Sequence, residues 1–324
     1  MTIHAAMVLA AGRGERMRPL SDAVPKPALP LVEEPVIASP LRLAAASGAR
    51  RLVVNTWHLA GVMSAAVAAV DPPIGTSISR EPELMGTAGG LALARDRGLL
   101  GARGSVLVIN GDGVLNVELE PVVRRMADAD DLVTLALLPH LDPRRWSRVL
   151  LDADGRVRRI VGPGSPGHGE VPLLYPGVML VSRAALDALD AGPGAVPERL
   201  WRPALASGRL GGVVVSGHWR EIGTPDDYLG AVLERLADRN VIDRTATVDP
   251  TVTISTALIG ARARIDEGAT VRKSVIAAGA RVGRGARVVR SVLLGEVSVR
   301  AGDRVDDSYR AEPITDLRDD RPPG

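Results

Sequence analysis

Met7-Val8-Leu9-Ala10-Ala11-Gly12-Arg13-Gly14-Glu15-Arg16-Met17-Arg18-Pro19-Leu20, running on to Pro25-Lys26-Pro27, is the stretch from which the rest of this chain can be understood. The apolar run from Ala5 to Ala11 has no polar alternation, as expected of a strand covered on both faces in a parallel sheet. Gly12 and Gly14 then end the strand and leave backbone N–H groups uncovered, in the arrangement that cradles phosphate oxygens. Arg13, Arg16 and Arg18 follow, each a permanent charge able to grip phosphate in a two-pronged fork. Pro25 and Pro27 are expected to hold Lys26 in a stiff extended segment, which makes its ammonium a pre-placed point charge. Together these features describe a site for a triphosphate. The plainer reading is an ordinary strand-to-helix turn, since neither the third glycine of a dinucleotide fingerprint nor the Gly-Lys-Ser/Thr ending of a P-loop follows. Lysine usage weighs against it. Lys26 and Lys273 are the only lysines among 40 basic residues, so one set between two prolines reads as a chemical requirement.

Composition narrows the function classes. A chain of 324 residues has room for two domains with separate cores. Aromatic residues make up only 2% and phenylalanine is absent, so the core is aliphatic and no stacking platform for single-stranded nucleic acid is expected. Forty bases nearly balance 38 acids, which is not the footprint of a nucleic-acid-binding protein. The absence of cysteine excludes disulfides, thiolate metal sites and cysteine nucleophiles. No window approaches the apolar length of a membrane span, and the short N-terminal apolar run leads into Gly-Arg-Gly-Glu-Arg, not a signal-peptide cleavage site. The expectation is a cytoplasmic protein with no membrane or nucleic-acid partner.

To about residue 239 strands and helices alternate. Helices are expected over Pro35–Ser47, Leu59–Val70 and Thr87–Arg97, with strands at Arg51–Asn55, Thr76–Ser79 and Ser105–Ile109. Such spacing implies parallel strand–helix–strand units with ligands at the carboxyl ends of the strands. Gly12–Arg16, Asn55–His58, Ser79–Thr87 and Asn110–Asp112 fall on that edge. Asp112, between Gly111 and Gly113, can approach a cation closely, although Asn-Gly-Asp-Gly is also plain turn chemistry. Thr87 could cap the helix it opens. A strand at Leu132–Leu138, a hairpin across Asp152–Gly155, a Gly/Pro-rich loop at Gly162–Gly169 and a strand at Leu173–Val181 follow. Within that last strand Gly177 either admits a ligand close to the backbone or marks a bulge. Thr224-Pro225-Asp226-Asp227 reads as a helix start.

Beyond Asp238 the period changes. Ile254, Val271, Val288 and Val305 recur at 17 residues, in steps of six, six and five. Leu258, Val275 and Val292 repeat with them, as do Ile265, Val282 and Val299, and Gly268, Gly285 and Gly302. One aliphatic residue per short step means a parallel β-helix with three strands per coil. All five histidines precede it, so it lacks the histidine base an acyltransferase of this kind would use.

Leu9-Ala-Ala-Gly-x-Gly-x-Arg16 with Pro25-Lys26-Pro27 resembles the sugar-1-phosphate nucleotidyltransferases. Val108-Ile-Asn-Gly-Asp112, Met85-Gly-Thr-Ala-Gly89, Tyr175-Pro-Gly-Val178 and Trp219-Arg-Glu-Ile-Gly-Thr-Pro225 resemble further motifs of that family, in its order. The resemblance implies a Rossmann-like three-layer α/β/α domain over residues 1–239, a left-handed parallel β-helix over 240–310 and a disordered tail over 311–324. It implies that an NTP and a sugar 1-phosphate become an NDP-sugar and pyrophosphate, with GTP and mannose 1-phosphate as best guess, and that the β-helix builds a homo-oligomer. Ala10, Ala11, Gly12, Arg13, Gly14, Glu15, Arg16, Gly86 and Thr87 would bind the nucleotide. Asn110, Gly111, Gly177, Glu221 and Lys26 would face the substrate. Arg16, Lys26 and Asp112 would be catalytic, with Mg²⁺ held by Asp112 and Glu221. The chain departs from the family at three places: Asn116 and Glu221 stand where the family has an acidic residue and Asp, and Val161-Gly162-Pro163 replaces Glu-Lys-Pro. Those departures keep a second expectation open, a nucleotide-sugar-binding regulatory subunit that associates with an active relative.

Overall fold

Ala5, Ala6, Met7 and Val8 are all fully buried in the first strand, Ile3–Leu9, which explains why its sequence lacks polar alternation. The computed structural model describes residues 3–139, 142, 144–165 and 171–312. By its internal contacts the chain forms two units. One comprises residues up to Gly12, Ile37–His58 and Val67–Arg220; the other comprises Arg13–Val36, Leu59–Ala66 and the chain from Glu221.

The first unit is built on a ten-stranded sheet. From one edge it runs Thr76–Arg80, Leu52–Thr56, Ile3–Leu9, Ser105–Asn110, Val178–Val181 and Val133–Pro139, and continues through shorter strands to Val157–Val161. The first four are mutually parallel, and Val178–Val181 runs against its neighbours on both sides. Helices Ala38–Ala46 and Gly86–Asp96 pack on the first strand, and Ala88, Leu91 and Ala92 join Met7, Val53, Val108 and Met179 in one aliphatic core. With almost no aromatic side chains, this core relies on close packing of small and branched residues. The unit has the Rossmann-like α/β fold that the resemblance implied.

Three expected elements differ. The strand foreseen at Leu173–Val181 is two, Leu173–Leu174 and Val178–Val181, because Pro176 has no N–H for the ladder and Gly177 sits at φ 88°. The helix foreseen from Pro35 starts at Ala38, since Glu34–Pro35 pairs with Pro30–Leu31 as a small hairpin. Lys26 is not extended. It opens a 3₁₀ turn, Lys26–Ala28, closed by Ala28 N–H on the Pro25 carbonyl at 2.8 Å.

In the second unit the Leu20–Ala23 helix packs on the strand Tyr309–Ala311, and the Pro225–Leu236 helix packs on Pro30–Leu31. Tyr228, fully buried, donates its hydroxyl to the Pro30 carbonyl at 2.7 Å. Arg235 pairs with Glu34 at 2.9 Å. Thr224 and Asp227 form a reciprocal capping box at the start of this helix, behind Pro225. The packing division therefore does not follow the composition change near residue 239.

The β-helix repeat is seen in the register itself. Ile254 pairs with Val271, Val271 with Val288 and Val288 with Val305; Leu258, Val275 and Val292 stack likewise. The Ile254 column and that of Ile265, Val282 and Val299 fill the interior, but the third interior column is Ile259, Ile276 and Leu293. Leu258, Val275 and Val292 are buried outside that cluster, because successive strand residues face opposite ways. The last strand runs to Ala311, and Glu312 N–H reaches the Leu294 carbonyl of the coil below at 3.0 Å. The remainder of the expected tail, 313–324, lies outside the described residues, as do His140, His168 and the second half of the Gly162–Gly169 loop. Among the described residues no helix is long and apolar enough to cross a membrane.

A serine ladder ties three coils. Ser274 Oγ accepts Ser291 N–H at 3.1 Å, and Ser291 Oγ accepts Ser308 N–H at 3.0 Å while donating to the Val289 carbonyl at 2.8 Å. Ser291 is fully buried. Ser291→Ala should therefore strand the Ser308 N–H and cost about 1–3 kcal/mol in urea unfolding. A loss under about 0.5 kcal/mol would mean the ladder contributes little.

Candidate functional site

In the first unit the sheet register brings the expected ligand edge together. Leu9 lies between Asn55 and Asn110 on the neighbouring strands, and Asn55 pairs onward with Ser79. Ala10–Gly12, Asn110–Asp112 and the residues after Ser79 thus leave the sheet at one end. Two glycines are dictated by crowding here. A Cβ on Gly111 would stand 2.7 Å from the Leu9 carbonyl oxygen, whose partner is the Gly111 N–H at 2.9 Å. A Cβ on Gly177 would stand 2.8 Å from that of Asn110, while Asn110 N–H donates to the Gly177 carbonyl at 2.8 Å. At Gly177 the close neighbour is thus the Asn110 side chain. Asp112 follows, half-buried between Gly111 and Gly113.

The loop after Ser79 is held by a group the sequence left without a role. Glu81 is 4% exposed, and its carboxylate accepts from Asn55 Nδ2 at 2.8 Å and from Met85 N–H at 3.0 Å. Burial pushes its pKa up, with Asn55, the Met85 amide and the Arg97 charge pulling the other way. Asn55 Oδ1 in turn accepts the Ala10 N–H at 2.7 Å. The sequence had placed Asn55 on the expected edge, as a polar residue closing the apolar run Leu52–Val54, but not its partners. Gly86 has φ 69° and faces the Gly194 carbonyl, where a Cβ would come within 2.7 Å. Thr87 is not the helix cap. The helix begins at Gly86, and the Thr87 hydroxyl accepts Val196 N–H at 2.8 Å. A distant loop satisfies the helix's first amides, since Ala88 and Gly89 N–H share the Gly194 carbonyl.

The second unit carries the charged residues. Gly14 adopts φ 65°, its carbonyl accepting from Ser21 Oγ at 2.9 Å and from Met17 N–H at 2.8 Å, and the 3₁₀ turn Glu15–Met17 follows. This turn leaves Arg13 and Arg16 exposed, whereas Lys26 is 8% exposed. Arg16 Nη2 pairs with Glu221 Oε1 at 3.0 Å, a partnership that sequence spacing does not reveal across 205 positions. With the Arg16 side chain 68% exposed, the pair is worth at most about 1 kcal/mol.

Asp112 and Glu221 offer hard oxygen donors of the type Mg²⁺ prefers. Among the described residues no group of three or more His, Cys, Asp or Glu could hold a metal. A cation on either carboxylate would take the rest of its shell from water or from ligand oxygens.

Comparison with known proteins gives concordant results. Residues 5–163 match the family described as nucleotidyl transferase, and residues 237–310 match that described as GlmU-like, C-terminal hexapeptide. A mannose-1-phosphate guanyltransferase beta-B of Xenopus laevis is 26% identical over 227 residues, covering 69% of this chain. A probable mannose-1-phosphate guanylyltransferase 2 of Arabidopsis thaliana is 28% identical over 236 residues, again 69% of this chain. The chain spans 62% and 63% of the length of these two relatives. Among solved structures, HddC from Yersinia pseudotuberculosis superposes with a TM-score of 0.60 at 20% identity, covering 72% of this chain and 100% of its own. That protein has also been solved in complex with GMP-PN.

Gly177→Ala would add the strain of a positive φ to a clash with Asn110. A fall in stability of about 1–3 kcal/mol is expected, read as a lowered Tm. An unchanged Tm would show that the turn can relax away from Asn110.

Proposed function

We propose that this chain, which belongs to the sugar-1-phosphate nucleotidyltransferase family, converts an NTP and a sugar 1-phosphate to an NDP-sugar and pyrophosphate. The observation that carries this reading is the strand register at Leu9, Asn55 and Asn110, which sets the Ala10–Gly12 backbone beside the Asn110–Asp112 turn at the carboxyl end of the sheet. Ligands of open α/β sheets bind at such an edge. A sugar phosphate oxygen would bond to the α-phosphorus of the NTP as the α–β anhydride bond breaks and pyrophosphate leaves. A phosphate monoester is already nucleophilic near neutral pH, so no general base is needed. Catalysis then reduces to alignment and charge shielding.

In this reading the backbone of Ala10, Ala11, Gly12 and Gly14, with Arg13, Glu15 and Arg16, holds the triphosphate, and Arg16 shields the departing pyrophosphate. Gly86 and Thr87 lie along the base. Asn110, Gly111 and Gly177 lie along the sugar, and Lys26 neutralises the incoming phosphate. Mg²⁺ held by Asp112 and Glu221 would supply Lewis-acid shielding of the phosphate oxygens. GTP and mannose 1-phosphate are the proposed substrates, taken from the names of the relatives. The same reading takes the chain to act in the cytoplasm as a homo-oligomer assembled through its β-helix.

One observation favours a second reading, a nucleotide-sugar-binding subunit that regulates an active relative. Arg16 and Glu221 neutralise each other through their ion pair. Pyrophosphate release with Mg²⁺, run over four NTPs and several sugar 1-phosphates, separates the two. Turnover with any pair supports the enzyme, and tight binding without turnover supports the regulator. In the active case Lys26→Ala should lower kcat/KM about a hundredfold or more, the weight of one electrostatic contact to the reacting phosphates. Near-full turnover by that variant would remove Lys26 from the proposed site. Chelation with EDTA should abolish turnover and added Mg²⁺ should restore it; activity that survives chelation would overturn the metal assignment.

A further inference from the structure

Two buried polar side chains, through three hydrogen bonds, link the two loops given above to the nucleotide. Ala10 N–H donates to Asn55 Oδ1 at 2.7 Å, Asn55 Nδ2 donates to Glu81 Oε1 at 2.8 Å, and Met85 N–H donates to Glu81 Oε2 at 3.0 Å. Glu81 N–H is itself anchored on the Thr56 carbonyl at 2.8 Å, so the loop is pinned to the end of the Leu52–Thr56 strand by main chain and side chain together. Space for the pair is made by Gly90. A Cβ there would stand 2.6 Å from Glu81 Oε1 and 2.8 Å from Asn55 Nδ2. Asn55 is 2% exposed and Glu81 4%, so water cannot substitute for a missing partner.

The chemistry of the chain has a direction. Ala10 and Met85 present N–H groups that can only donate, and an ionised carboxylate can only accept. Between them, a primary amide satisfies both ends in one orientation alone, with its NH₂ toward Glu81 and its oxygen toward Ala10. Both carboxylate oxygens are engaged inside the protein, which leaves Glu81 committed to its neighbours and not to a nucleobase edge.

We propose that Glu81 and Asn55 are positioning residues for the nucleotide: the acceptor-only carboxylate dictates the orientation of the Asn55 amide, and that amide holds the phosphate loop at Ala10 in step with the base loop at Met85–Thr87. The inference rests on the nucleotide assignment of these loops made above, but the network itself does not. Glu81→Gln replaces one acceptor by a donor. Whichever way the two amides then turn, one N–H of the chain faces another, at Ala10, at Met85 or between the two side chains. Adding Asn55→Asp repairs the chain. The carboxylate introduced at position 55 then accepts from Ala10 N–H and from the amide introduced at position 81, whose oxygen accepts from Met85 N–H. Volume and net charge both match the original pair.

The test is NTP affinity by titration calorimetry, KM for each substrate, and amide hydrogen exchange at Ala10 and Met85 in the full chain. Glu81→Gln should weaken NTP binding about tenfold, the weight of a single hydrogen bond, leave KM for the sugar phosphate within about twofold, and lower protection at one or both amides where the mismatch loosens the chain. The double variant should bring affinity and protection back to within about threefold of the original. A double variant no better than the single one would overturn the proposal, as would a single variant with both NTP affinity and protection at the two amides unchanged. Should the original chain bind no NTP, the nucleotide assignment fails, and the exchange pattern alone still decides whether Glu81 orients Asn55.

Discussion

A backbone N–H released where a buried strand ends must find an acceptor, and at Ala10 that acceptor is a side chain from the neighbouring strand. The constraint is severe because the first strand is covered on both sides, with Ala5 to Val8 fully buried. It is met by Asn55, which the parallel register sets directly opposite Leu9. On the other flank, Gly111 N–H answers the Leu9 carbonyl, and this close approach excludes any Cβ at Gly111. The end of the central strand is thereby tied on both sides before a ligand arrives. Pre-set groups of this kind are worth more to charge-shielding chemistry than flexible ones, since they do not reorganise during reaction.

The segment that bears the cationic side chains depends on a different set of contacts. Arg13–Val36 is packed with the Pro225–Leu236 helix and with the last coil of the β-helix, through Tyr228 on Pro30, Arg235 on Glu34, and Leu20–Ala23 against Tyr309–Ala311. Tyr309 also donates to Asp226 in the first turn of that helix, and burial raises its phenol pKa above the ordinary value. A solenoid with an aliphatic interior and no histidine thus has a structural use within its own unit, as a backing for the loop that carries Arg16 and Lys26.

Much of this was legible in residue order. The 17-residue columns appear one for one in the strand pairing, because a β-helix converts sequence period directly into contact. The ligand edge was legible for a similar reason, since alternation of apolar runs and helices leaves few parallel arrangements. What failed was local. Thr87 looked like a cap, yet its hydroxyl serves Val196, 109 residues away. Leu173–Val181 looked continuous, yet Pro176 and Gly177 break it at the point where Asn110 needs room. Lys26 looked extended between prolines, yet one main-chain hydrogen bond folds it into a turn.

The sequence by itself determined the two architectures, because apolar period and glycine placement are properties of neighbours along the chain. Only the tertiary structure decided who partners whom: Arg16 with Glu221, Asn55 with Ala10, and Glu81 with both Asn55 and Met85. The physical reason is that a buried polar group takes whatever complementary group the packing brings within about 3 Å, and that neighbour is seldom near it in sequence.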